Sequence, residues 1–288
     1  MKSLKIIALM LLAYVNYASA SDKLNFNWGT AKAVVTEKIN KGKGAITIRY
    51  EISLEKHKQG YVVKQTNVDI LIPKTPPEKE AEKSRLLAAM SMPDLLIDRK
   101  GNPLDVLDLD DYINRVNKYF GGAKTSQLLQ SPQMREILFV TAQKNWCLWV
   151  CNWTDVTIKE GTPKTETSTI EIAGMNIPQT TSTEIYKNWE GSKNVKLTLT
   201  ASSGGETAVK ELTNFVQSFT QENNLTIKDN GNSDNDINNF SKGTTVVAII
   251  DPATLKPISV ISEELTEIST SSETKRTKEK HEYSFEWK

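Results

Sequence analysis

The sequence predicts an α+β protein in which one long, curved antiparallel β-sheet, shaped like half a barrel, packs on three to four α-helices. Apolar and polar residues alternate with period two along much of the chain, which is typical of half-buried strands. Glycine- and lysine-rich turns separate neighbouring strands, as in antiparallel hairpins. Several other segments combine a capping residue with helical periodicity. With 288 residues, of which 38% are hydrophobic, the chain can build the core of one large domain.

The first strands are predicted to form a three-stranded meander. Apolar and polar residues alternate from Gly44 to Lys56, which indicates a strand with one solvated face. Leu24, Phe26 and Trp28 alternate before it, and residues 61–72 form the strand after it.

Helix start signals mark four segments. Thr75, Asp108, Ser131 and Ser203 are residue types that cap helix N-termini, and a helical pattern follows each of them. The first two helices are predicted over about residues 75–90 and 109–120. The third begins at Pro132, and the fourth follows a capping box that ends at Glu206.

The second half of the chain repeats this order of elements. Its strands are predicted at residues 154–160, 164–173, 177–190, 193–201 and 278–287, with a polar loop at 228–242 and a hairpin at 244–268.

A short internal match supports two similar halves, with a boundary near residues 121–153. Ile97-Asp98 precedes a turn and Pro103, and Ile250-Asp251 precedes a turn and Pro257. In each hairpin the aspartate can accept hydrogen bonds from the turn backbone. The alternative is chance, because hairpins often reuse these residue types.

The order of meander, helix, hairpin and terminal strands resembles that of the lipoprotein-carrier half-barrel proteins and of related secreted bacterial domains of unknown function. The resemblance lies in two segments, PDLLIDRKGNPLDV at 93–106 and VVAIIDPATLKPISVISEE at 246–264. In that fold the concave face of the sheet can hold an acyl chain, so the resemblance implies a cavity for an apolar ligand. No family site motif matches, and the resemblance therefore assigns no functional residue.

The N-terminus has the features of a secretory signal peptide. Lys2 and Lys5 precede a short apolar run, and Ala18-Ser19-Ala20 fits the small-residue cleavage rule. We expect residues 1–20 to be removed before Ser21, which leaves residues 21–288 as a single mature domain in the periplasm or outside the cell. The alternative is a buried or membrane-spanning helix, but a span needs about 20 apolar residues. No other run is long enough, so no transmembrane segment is expected in the mature chain.

Composition and export argue against several classes of function. The 36 basic and 35 acidic residues balance, which does not favour a nucleic-acid binder. ATP and NAD are scarce outside the cytoplasm, so no cofactor is expected. The two histidines lie far from the cysteines in sequence, no metal site is predicted, and no catalytic motif is found. We therefore expect a protein that is not an enzyme.

The two cysteines, Cys147 and Cys151, are expected to form a structural disulfide in an exported protein. Residues four apart in a regular helix are poorly placed for a bridge, so bonding would require the helix to end or distort there. Two free buried thiols are the alternative, and an active redox pair normally has two residues between its cysteines.

Aromatic residues supply the candidate ligand-lining side chains. Trp146, Trp149 and Trp153 share one helix face around the cysteines, and Phe215 and Phe219 lie on the fourth helix. They either fill the core under the sheet or form the wall of a ligand cavity, and their spacing does not separate the two.

Three functions remain open at this point. The chain is an exported binding or carrier protein for a lipid or other apolar ligand, or a structural protein of the cell envelope that binds a protein partner, or a hydrolase of unrecognised type. A deep apolar cavity favours the first, an exposed apolar patch the second, and a cleft with two close carboxylates the third.

Overall fold

The computed structural model describes residues 23–41, 44–71, 91–120, 132–161, 163–172, 175–222 and 237–288. The predicted signal peptide, its cleavage site at Ala20 and Ser21, and the predicted helix at 75–90 lie outside these ranges. The described strands are β1 (Lys32–Lys41), β2 (Gly44–His57), β3 (Gly60–Ile70), β4 (Asp94–Asp98), β5 (Pro103–Leu107), β6 (Lys164–Ile172), β7 (Met175–Tyr186), β8 (Val195–Gly204), β9 (Ile237–Ile250), β10 (Pro257–Thr270) and β11 (Thr274–Trp287).

All eleven described strands belong to one antiparallel sheet, in the order β5-β4-β3-β2-β1-β11-β10-β9-β8-β7-β6. Each half of the chain contributes a meander, and the first and last strands pair in the middle, from Ala33 opposite Trp287 to Lys41 opposite Glu279. The sheet is therefore continuous across the two meanders.

The predicted packing of the sheet on three to four helices is wrong. The described α-helices are α1 (Leu109–Phe120), α2 (Pro132–Trp146) and α3 (Glu206–Glu222). Helix α1 forms a small cluster with α2, and α3 packs mainly on β7, β8 and β9. These helices have 12, 15 and 17 residues, and their apolar faces are too small to cover eleven strands. The predicted cap Ser203 lies within β8. The protein is mainly one large sheet.

Several local predictions are confirmed. Strand β2 and helix α1 have nearly the predicted bounds. In the first of the two matching hairpins, Asp98 Oδ1 accepts hydrogen bonds from the backbone N–H groups of Lys100 and Asn102, both at 2.8 Å. In the second, Asp251 Oδ1 accepts one from Ala253 N–H at 3.0 Å.

One predicted strand is absent, and the start of another is wrong. Residues 154–160 form a turn and an irregular segment instead of a strand, because their backbone groups bond to the N-terminal segment, as Val156 does to Leu24. Strand β9 begins at Ile237, inside the predicted polar loop, because its polar residues pair with β10.

The main core lies on one face of the sheet, here called the inner face, which carries Val35, Ile52 and Tyr283. It is covered by Leu24, Phe26 and Trp28, by part of α2, and by the residues that follow α2. Among the described helices, none is long and apolar enough to cross a membrane.

Candidate ligand-binding cavity

A cavity of about 1060 Å³ lies against the inner face of β6 to β10. Its opposite wall comes from the end of α2 and the irregular segment after it, including Lys144, Leu148, Val156 and Pro163. The volume is at the upper end of the range for small-molecule sites.

The strand register arranges the inner face in rows that become more polar with distance from the core. Residues opposite each other on neighbouring antiparallel strands share a face, and successive rows are two residues apart. The deep row is buried throughout and consists of Ile185, Leu197, Ala248, Val260 and Tyr283. The middle row is mixed and consists of Thr183, Leu199, Val246, Ser262 and His281.

The outer row is wholly polar apart from one alanine. It consists of Thr181, Ala201, Thr244, Glu264 and Glu279, none of which is fully buried. The cavity lies over the β7 to β10 part of the middle and outer rows. At the end nearest the core the sheet wall carries Ile185, Leu199 and Val246, and the neighbouring part is rich in hydroxyl and charged groups. Ile177 and Phe240 border the far end.

Three charged side chains join the two walls of the cavity. The carboxylate of Glu264 on β10 accepts a hydrogen bond from Lys144 Nζ of α2, with the two atoms 3.2 Å apart. It also lies 3.1 Å from Lys242 Nζ of β9. Burial by itself would raise the pKa of Glu264, but the charges and hydrogen bonds of the two lysines outweigh it and lower the pKa. The carboxylate is therefore ionised at neutral pH, and the group of three carries one net positive charge.

A second polar cluster lies on β11, β1 and β2, next to the β10 wall of the cavity. His281 Nδ1 lies 2.7 Å from Glu37 Oε1, and its Nε2 lies 2.9 Å from Glu279 Oε1. Burial alone would lower the pKa of His281, but hydrogen bonds to the two carboxylates and their charges raise it. The Tyr50 hydroxyl also donates a hydrogen bond to Glu37 Oε2, at 3.3 Å. The pKa of Tyr50 is raised, mainly by burial and secondly by the negative charge of Glu37. Among the described residues, no group of three or more His, Cys, Asp or Glu side chains could hold a metal ion.

The cysteines lie at the end of the helix wall, and Cys147 borders the cavity. Helix α2 ends at Trp146, and residues Cys147–Cys151 form a π-helical turn. The two cysteines form a close pair with their Cα atoms 4.4 Å apart. This distortion of the helix is the change that the four-residue spacing requires.

The three tryptophans predicted as core or cavity wall are buried in the core. Trp146, Trp149 and Trp153 are at most 1% exposed, and none borders the large cavity. The Nε1–H of Trp146 donates to the carbonyl of Gly101 at 2.7 Å, which satisfies its one donor.

Of the two phenylalanines of α3, Phe215 lies next to the cavity without bordering it. Phe215 is partly buried and packs on a small cluster formed by Met175, Ile177 and Ala208, of which Ile177 also borders the cavity. The Phe219 side chain is not among those that the structure describes.

The charged residues of the cavity were not predicted from the sequence. Glu264 lies in a segment used for the family resemblance, and period two places it on the same face as Ser262. However, Lys144 is 120 positions away in sequence and lies on a helix, so no local pattern pairs it with Glu264.

Comparison of the chain with protein-family models and with curated proteins finds no match. The case for a function therefore comes from the chain's own residues.

Proposed function

We propose that this protein is an exported binding or carrier protein, not an enzyme, that holds an apolar ligand in the cavity between the inner face of the sheet and the end of α2. Export rests on the signal-peptide features of residues 1–20, and the oxidising compartment it implies suits a bonded Cys147–Cys151 pair. The cavity of about 1060 Å³ is the observation that carries the binding proposal.

The side chains that border the cavity support an apolar occupant at one end. Leu148 from the helix wall faces the same space as Leu199 and Val246 from the sheet. Contacts of this kind stabilise a ligand by removing apolar surface from water, at about 25 cal/mol per Å².

Binding can be measured with the neutral dye N-phenylnaphthylamine, which fluoresces in apolar surroundings. We expect saturable binding to the wild-type protein. Ala201→Phe places a large side chain in the cavity and should weaken dye binding by about tenfold or more, since the dye must give up contacts.

The matched control is Thr200→Phe, which adds the same ring to the opposite, exposed face of β8. This variant should bind dye like the wild type. Equal binding by Ala201→Phe and wild type, or lack of binding by the wild type, would count against the cavity as a ligand site. Native mass spectrometry of protein purified from its own envelope is an independent test, because it would identify any lipid that remains bound.

A second candidate function is an envelope protein with a protein partner. The observation in its favour is a pair of apolar side chains on the outer face of β10, where Ile261 is 36% and Leu265 is 51% exposed. If this function is right, Ile261→Ser with Leu265→Ser should disrupt association with the partner in cross-linked envelopes, while dye binding is absent from both proteins.

A further inference from the structure

We infer that the ligand of this cavity is an anionic amphiphile, whose carboxylate or phosphate headgroup is bound by Lys144 and Lys242 while its apolar chain lies toward Leu148 and Val246. This inference rests on the proposed ligand-binding function and adds the chemical class of the ligand.

The two walls carry the same pair of residue types in the same order. On the helix wall Lys144 precedes Leu148 by four residues, and on the sheet wall Lys242 precedes Val246 by four. All four residues border the cavity. An amphiphile in the cavity can therefore meet an ammonium group from each wall at one end and an apolar side chain from each wall at the other.

The different exposure of the apolar residues and the lysines indicates which end of the ligand enters the cavity first. Leu148 and Val246 are 8% and 1% exposed, whereas the side chains of Lys144 and Lys242 are 61% and 36% exposed. The apolar pair therefore lies deeper than the cations. A chain that enters tail first would leave its headgroup beside the lysines, where water can still reach the charges.

The lysines retain the capacity to bind an anion. Each ammonium has three N–H donors, and the contact of each with Glu264 occupies one of them. Of the charged residues that border the cavity, four are lysines and three are acids, the others being Lys159, Lys164, Asp155 and Glu166. The balance favours an anion over a cation.

The test is displacement of N-phenylnaphthylamine by four compounds: dodecanoate, dodecyl phosphate, dodecanol and inorganic phosphate. Dodecanoate and dodecyl phosphate should displace the dye at concentrations about tenfold or more below that of dodecanol, because only they form charge-assisted hydrogen bonds with the lysines. Inorganic phosphate alone should not displace it. The relative strength of the two anionic compounds identifies carboxylate or phosphate as the preferred group.

Three variants distinguish headgroup binding from a structural role of the charged group. The double variant Lys144→Met with Lys242→Met should remove the preference for the anions over dodecanol. Glu264→Gln should strengthen anion binding, because it removes the competing carboxylate. Lys210→Met, an exposed position on α3 that does not border the cavity, is the control and should change neither.

The outcomes separate the two proposals. Equal displacement by dodecanol and the two anions, or weaker anion binding in Glu264→Gln, overturns the headgroup inference and leaves the cavity as an apolar site. If inorganic phosphate, which has no apolar chain, displaces the dye, the requirement for an amphiphile is overturned. If the wild-type protein binds neither dye nor any of the compounds, the proposed ligand-binding function itself fails.

Discussion

At the scale of single residues, His281 links β11 to β1 through Glu37 and lies beside Glu279 on its own strand. Because its pKa is raised in the folded protein, its contribution to stability is fully present below its ordinary value near 6.5 and is lost as the pH rises through the folded value. We therefore expect the urea midpoint of unfolding to decrease as the pH rises from about 6.5 through the raised pKa of the folded protein.

The histidine variants test this prediction. In His281→Gln this pH dependence should be much smaller, whereas His57→Gln, at the chain's other histidine, should keep it. The same pH dependence in His281→Gln and in the wild type would show that other groups cause it.

The cysteine pair gives a second residue-scale prediction. In protein recovered from the envelope, non-reducing peptide mapping should find Cys147 and Cys151 linked and no thiol open to alkylation. The loop between them is short, so replacing both by alanine should reduce the free energy of unfolding by at most about 2 kcal/mol. Two alkylatable thiols in the exported protein would contradict the pairing.

At the scale of elements, α2 and the turn after it anchor one wall of the cavity through buried tryptophans. The Trp146 ring contacts the rings of Phe26, Trp28 and Trp149, with centroids 5.0 to 6.4 Å apart. Trp146→Ala should therefore reduce the free energy of unfolding by about 3–5 kcal/mol, which urea denaturation can measure.

Trp189 is the matched control for this element. It lies in a short 3₁₀ turn, and Lys196 Nζ lies 3.9 Å from the centroid of its ring. Trp189→Ala should cost about 1 kcal/mol or less, since it removes a partly exposed cation–π contact and a ring contact with the exposed Tyr186. Similar costs for the two variants would mean that Trp146 does not anchor the wall.

At the scale of the whole molecule, the two meanders join through β1 and β11. The cavity belongs to the second meander and to the segment that connects the two. The predicted export concerns the whole molecule as well. N-terminal sequencing of protein from the periplasm or the medium should begin at Ser21, after loss of residues 1–20. A mature protein that still begins at Met1 would contradict export through this signal.

Sequence pattern predicted the elements whose determinants are local. Strand β2 follows from the alternation of Ile46, Ile48 and Tyr50, and α1 follows from Asp108 and the helical pattern after it. The segment at 154–160 has a similar local composition, but its hydrogen bonds go to Leu24, which is remote in sequence. The prediction failed there because the backbone partner, and not the residue type, decides whether an extended segment joins the sheet.

The same division holds for the candidate site. By itself, the sequence determined the alternating faces of the strands, the turn roles of Asp98 and Asp251, and the distortion at the cysteines, because each depends on neighbours within a few residues. Only the tertiary structure decided that the tryptophans fill the core and that Lys144 meets Glu264 across the cavity. Such contacts depend on how distant segments pack, and burial and charge pairing are properties of that packing, which residue spacing along the chain does not encode.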